Sequence, residues 1–197
     1  MRRIFTGLLM ALPFLIPACD YRSTSRSPSK EGSPINIYTH TVQSLSGAPM
    51  DLGVLQGKVV LMVNLASKCG YTSQYRDLQA LQDSYEGKPF TVIGFPCNDF
   101  GGQEPGGAET IEACAAGYGA DFPIMAKVQV KAGDGQSPVY AALSSTMDEA
   151  PSWNFGKYLV DAQGQPVAFF GSSINPDSPQ VRTQIDALLA GSNGDQS

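Results

Sequence analysis

Apolar positions along the chain fall into runs of two kinds. The most continuous is Lys58-Val59-Val60-Leu61-Met62-Val63-Asn64-Leu65-Ala66. Almost every residue in it is apolar and many are β-branched, the pattern of a central strand covered on both faces. It breaks at Ser67-Lys68-Cys69-Gly70. Tyr75, Leu78 and Leu81 then recur at helical spacing, which predicts a helix over 72–85 with Thr72 or Ser73 as its cap. Gly87-Lys88-Pro89 ends that helix, and Phe90-Thr91-Val92-Ile93-Gly94-Phe95-Pro96 is a second buried strand.

On the N-terminal side, Ile35 to Val42 alternates apolar and polar residues and predicts an edge strand, followed by a turn at Ser46-Gly47-Ala48-Pro49. On the C-terminal side, a glycine-rich loop from Asn98 to Gly107 leads into a helix over 108–117. A short strand at Val128-Gln129-Val130 and a helix over 138–147 follow. Lys157-Tyr158-Leu159-Val160 and Val167-Ala168-Phe169-Phe170 flank Asp161-Ala162-Gln163-Gly164-Gln165-Pro166, a hairpin signature. A last helix spans 178–189. This order predicts an α/β chain with a parallel core, a late antiparallel hairpin and a cysteine at the first strand–helix turn. It is the layout of a thioredoxin-like fold: a central mixed sheet flanked by helices, with an N-terminal strand extension, as one domain over 35–191.

The first residues change the picture of where the protein works. Arg2 and Arg3 precede an uncharged, mostly apolar run to Ile16, then Pro17-Ala18-Cys19. This reads as a bacterial signal peptide over 1–18, resembling a lipoprotein leader cut before Cys19, with Cys19 acylated. Cleavage by the ordinary route and an uncut anchor are the other outcomes. Residues 19–34 are Ser-, Pro- and charge-rich and read as a flexible tether. The expectation is an exported, periplasmic protein, anchored to the membrane only through its N-terminus. The net charge of −5 gives no basic footprint, so nucleic acid is not an expected partner.

Candidate chemistry narrows quickly. The chain has one histidine, His40, in the predicted edge strand, which argues against Cys-His or Ser-His-Asp catalysis and against a His/Cys zinc site. Cys69 stands where a buried strand hands over to a helix N-terminus, where backbone N–H groups favour a thiolate. The plainer reading is a small buried Cys filling a turn. Thr72 occupies the position of the second thiol of a Cys-x-x-Cys pair, so this is not a dithiol exchange motif. A lone thiolate suits attack on an electrophile such as a peroxide oxygen. Cys97, at the end of a strand, reads as a structural thiol.

Three stretches then become specific: Val63-Asn64-Leu65-Ala66-Ser67-Lys68-Cys69-Gly70-Tyr71-Thr72, Gly94-Phe95-Pro96-Cys97-Asn98-Asp99-Phe100-Gly101-Gly102-Gln103-Glu104-Pro105-Gly106, and Trp153-Asn154-Phe155-Gly156-Lys157-Tyr158-Leu159-Val160. In order and spacing they resemble the glutathione peroxidase family, over about Ile35 to Leu189. The resemblance implies a catalytic group of Cys69, Gln103, Trp153 and Asn154. Amide and indole N–H donors can favour a thiolate and stabilise a leaving hydroxide. It also implies Cys114 as a resolving cysteine, the alternative being a core-facing helix residue. The implied activity is reduction of hydrogen peroxide and organic or lipid hydroperoxides through a Cys69 sulfenic acid. A Cys69–Cys114 disulfide would be re-reduced by a thioredoxin-like dithiol protein, or glutathione would serve. No metal, flavin or nucleotide cofactor is implied, and the chain between Val130 and Trp153 lacks the long loop of tetrameric relatives, which implies a monomer. An exported thiol–disulfide oxidoreductase on the same fold and a non-catalytic redox sensor are the competing readings.

Overall fold

The computed structural model describes residues 35–192. The leader over 1–18, Cys19 and the tether lie outside the described residues. Strand β3 (Val59–Leu65) is buried at all seven positions and forms the centre of a four-stranded sheet. It pairs in parallel with β4 (Phe90–Pro96) and antiparallel with β5 (Lys157–Val160), and β5 pairs antiparallel with β6 (Pro166–Phe170). The spatial order is β4-β3-β5-β6.

Alternation along β3 explains why its run is unbroken: the two sets of side chains enter two separate cores. Val59, Leu61, Val63 and Leu65 pack with Leu78 and Leu81 of α1 (Gln74–Ser84) and with Val181 and Ile185 of α4 (Pro179–Ser192). Val60 and Met62 pack on the opposite face with Val139, Tyr140 and Leu143 of α3 (Pro138–Met147). Helix α2 (Ala108–Gly117) buries only Ile111 and Ala115 and lies against the first of these cores.

The N-terminal extension differs from expectation. Ile35 to Val42 is not one edge strand. Ile37–Thr39 is a 3₁₀ turn, capped by the Asn36 side chain, which accepts the Tyr38 N–H at 2.9 Å. The turn lets the consecutive residues Ile37 and Tyr38 both be buried, which a strand would not. The Tyr38 hydroxyl reaches the Lys58 and Asp161 carbonyls at 2.7 and 2.9 Å. Strand β1 (Thr41–Gln43) follows and pairs only with β2 (Pro49–Asp51), in a separate two-stranded ribbon. His40 lies between turn and ribbon, with its Nδ1 3.0 Å from the Ile37 carbonyl. The segment Val128-Gln129-Val130 is likewise no strand: one bridge links Gln129 to Gln136. Its N–H groups go instead to the Pro96 carbonyl, from Val128, and to the Asp99 carboxylate, from Val130.

Candidate active site

Chain reversals after β3 and β4 and the segment entering β5 meet at one end of the sheet. Open α/β sheets commonly carry their sites beyond the carboxyl ends of parallel strands. Cys69 lies in the turn after β3 and is 9% exposed. Its Sγ accepts the Tyr71 N–H at 3.4 Å. Thr72 does not cap the helix, and Ser73, the first flanking residue of α1, makes no side-chain cap bond either. The Thr72 hydroxyl instead accepts the Cys69 N–H at 3.0 Å. It also shares its proton between the Ala66 and Cys69 carbonyls, at 2.9 and 2.8 Å. Thr72 therefore fixes the turn that presents the sulfur.

This turn is fastened to the glycine-rich loop at two points. The Lys68 N–H donates to the Gln103 carbonyl at 3.0 Å, and the Ser67 hydroxyl donates to Glu104 Oε2 at 2.9 Å. The loop is shaped by Gly101 and Gly102, whose φ values of 69° and 63° lie in the left-handed region. A Cβ on Gly101 would stand 3.2 Å from the Trp153 ring, so that indole lies directly over the loop backbone.

Asn154 is fully buried, and its side-chain nitrogen donates to Gln103 Oε1 at 3.0 Å and to the Phe100 carbonyl at 3.3 Å. This holds the Gln103 carbonyl oxygen inward and leaves the Gln103 NH₂ group as the free donor. Asn154 thus positions Gln103, and its amide protons are committed to these two partners. Trp153 is 38% exposed and packs against Phe100 with ring centroids 6.2 Å apart.

Sequence reasoning gave no role to the residue that ties this segment down. Asn64, fully buried within β3, donates from its side chain to the Trp153 carbonyl at 3.1 Å and accepts the Gly156 N–H at 2.9 Å. Its carbonyl accepts the Phe155 N–H at 2.7 Å. Phe155 is held at φ 64°, unusual for a residue with a side chain. Such strain persists only where the surroundings fix it. Here they are the Asn64 bond, an edge contact with Tyr75 at 5.8 Å, and the Lys157 ammonium, which donates to the Phe155 and Ile174 carbonyls at 2.7 Å each. Lys157 is wholly buried, and burial pulls it down from its ordinary 10.5 to about 7, against a smaller opposing pull from Asp77. The available signal was one polar residue in each of two strands that otherwise read as apolar.

Cys114 projects from α2 toward the same turn, with its Sγ 4.0 Å from the Ser67 carbonyl oxygen, and is half-buried. Cys97 ends β4 on the opposite core, is fully buried, and burial pushes its thiol up to about 12. Cys69, Cys97 and Cys114 are all free thiols. The geometry thus brings Cys69, Gln103, Trp153, Asn154 and Cys114 to one end of the sheet and sets Cys97 and His40 apart.

Comparison with known proteins bears on the family and the fold. Residues 37–144 match the family model for glutathione peroxidase. A glutathione peroxidase-like peroxiredoxin of Saccharomyces cerevisiae is 46% identical over 149 residues, covering 73% of this chain and 90% of the relative. A hydroperoxy fatty acid reductase of Synechocystis is 42% identical over 164 residues, covering 78% and 95%. The crystal structure of T. cruzi GPX1 superposes with a TM-score of 0.65 at 34% identity, over 79% of this chain and 97% of that one. With this fold, and with a free cysteine fastened to an amide-donor loop at the strand ends, the chain belongs to the glutathione peroxidase family.

Proposed function

We propose that this protein is a thiol peroxidase that reduces hydrogen peroxide and organic or lipid hydroperoxides. The observation that carries the reading is the fastening of the Cys69 turn, the Gln103 loop and the Trp153-Asn154 segment into one cluster. The Cys69 thiolate attacks the terminal peroxide oxygen. An S–O bond forms, the O–O bond breaks, and the departing oxygen takes up a proton to leave as water or an alcohol. Cys69 becomes a sulfenic acid. The Tyr71 amide donates to the sulfur and orients it in the turn. The Gln103 NH₂ group and the Trp153 indole N–H are the donors for the peroxide and its leaving oxygen, and Asn154 positions Gln103.

Cys114 then condenses with the sulfenic acid, and a dithiol protein regenerates both thiols by exchange. The direction of the Cys114 side chain, toward the carbonyl two residues before Cys69, supports this role. So do the relatives named as peroxiredoxins. The relative named as a hydroperoxy fatty acid reductase supports fatty acyl hydroperoxides as substrates. The leader and Cys19 support export to the periplasm with acylation as the membrane anchor, and the short chain between Val130 and Trp153 supports a monomer.

The test is multiple-turnover consumption of hydrogen peroxide and a fatty acid hydroperoxide, with either a reduced thioredoxin-type protein or glutathione as electron donor. Sustained turnover with the dithiol protein, and much slower turnover with glutathione, is the expected result. Disulfide exchange without peroxide consumption would contradict the peroxidase reading.

A further inference from the structure

Glu104 adjoins Gln103 yet points away from it, into the protein. It has no exposed surface; Oε2 accepts from the Ser67 hydroxyl, and Oε1 is buried with no hydrogen-bond partner among the described residues. The Tyr75 hydroxyl is buried and unpartnered in the same way. Ser67 touches both Glu104 and the Cys114 thiol, one through its hydroxyl and the other through its carbonyl oxygen at 4.0 Å. A buried carboxyl, a buried phenol and a half-buried thiol therefore gather beneath the turn that carries Cys69. A carboxyl oxygen left without a donor in such a place is costly unless it has a use.

We infer that Glu104 is the proton acceptor for Cys114 when Cys114 attacks the Cys69 sulfenic acid, with Ser67 holding the carboxyl in place. This rests on the resolving role proposed for Cys114. In the step, the Cys114 S–H bond breaks and its proton passes to the Glu104 carboxylate. The freed electron pair forms the S–S bond as the Cys69 S–O bond breaks. The oxygen leaves as hydroxide and takes the proton back from Glu104 to become water. Cys114 is oxidised as the Cys69 sulfenic sulfur is reduced, so no further oxidant or reductant enters.

The surroundings suit a carboxyl that both takes and returns a proton. Burial raises Glu104 above the usual carboxylate range; the Ser67 bond and the charges of Lys127 and Lys68 pull the other way. Facing it are Tyr75 from α1, the Ser67-Lys68 turn, and Lys127, which donates to the Glu104 carbonyl at 2.7 Å; Cys114 approaches from α2.

The experiment uses the reduced full chain and its Glu104→Gln variant, mixed with one equivalent of hydrogen peroxide. Peroxide loss reports the first step, and mass analysis of quenched samples reports disulfide formation. At neutral pH the variant forms the sulfenic acid within about threefold of the parent rate. Its disulfide step is slower by about 10²-fold, the usual contribution of a placed base. The deficit shrinks as pH rises and hydroxide in solution replaces the missing acceptor. Ser67→Ala loosens the Cys69 turn as well as the carboxyl, so it slows both steps but the disulfide step more, and the ratio of the two rates decides the matter if Glu104→Gln fails to fold. Equal slowing of both steps, or an unchanged disulfide rate across pH, overturns the role of Glu104. A parent protein that never forms the Cys69–Cys114 disulfide overturns the resolving role itself and this inference with it.

Discussion

Cys69 and Cys97 both follow neighbouring parallel strands, Cys69 in the turn beyond β3 and Cys97 directly after β4, and they share one local feature. Each sulfur accepts the N–H of the residue two positions on, at 3.4 Å, from Tyr71 in one case and Asp99 in the other. Their surroundings differ. Cys97 is sealed in the α3-side core, with burial and the Asp99 carboxylate working against the thiolate. Cys69 retains 9% exposure in a turn beside Lys68, with the Gln103 loop fastened to it. One amide donor is therefore not enough to make a working thiolate. Access to substrate and the further donors of the Gln103 loop and Trp153 separate the two sites.

The sharpest test of this contrast is to remove each sulfur in turn. Cys69→Ser reduces hydroperoxide turnover to background. Cys97→Ala leaves turnover near the parent value and costs only about 1 kcal/mol of stability, read by urea unfolding. Next come the donors that Cys97 lacks. Gln103→Ala slows sulfenic acid formation by about 10²-fold, the usual cost of one oxyanion donor. Asn154→Ala costs a similar factor, and the double variant is little worse than either single one, because Asn154 acts by holding Gln103. Stopped-flow rates with hydrogen peroxide decide this, and full additivity would break the positioning argument.

A smaller effect concerns the floor of the site. Lys157 titrates near 7 when folded and near 10.5 when unfolded, so between those values the unfolded chain binds a proton that the folded chain does not. Stability therefore rises with pH from about 7 toward 10.5. Lys157→Met flattens that rise in urea unfolding curves measured from pH 7 to 10, whatever it costs through the lost carbonyl bonds. The smallest effect is Asp99→Asn. Burial, not Asp99, is the largest cause of the raised Cys97 thiol, so Cys97 stays slow to alkylate in the folded variant. Fast alkylation there would show that charge, rather than burial, separates the two cysteines.

The parts legible in sequence are those that depend on local pattern. β3 and α1 followed from apolar period, and the Cys69 turn from the place where that period changes. The N-terminal extension was misread because Ile35 to Val42 alternates like a strand, while a 3₁₀ turn at Ile37–Thr39 buries neighbouring residues together. Within the site, Cys69 stands out from the local pattern and Gln103, Trp153 and Asn154 enter through the family resemblance, but the fasteners follow from neither. Asn64 reaches Trp153 across 89 residues, and Lys157 bonds a carbonyl 17 positions away. Such pairings depend on tertiary approach, and in sequence they leave only a polar residue inside an apolar run. Thr72 and Ser73 both stand where a helix cap would, yet Ser73 makes no cap bond and the Thr72 hydroxyl is satisfied by the Cys69 turn.

The central claim is that Cys69 reduces the peroxide and Cys114 resolves it. The most direct measurement is a peptide map of the reduced chain after one equivalent of hydrogen peroxide, with each sulfur located by mass. The account predicts a Cys69–Cys114 disulfide with Cys97 still a free thiol. A stable Cys69 sulfenic acid beside a free Cys114 would contradict the resolving role, and an unreacted Cys69 would contradict the account as a whole.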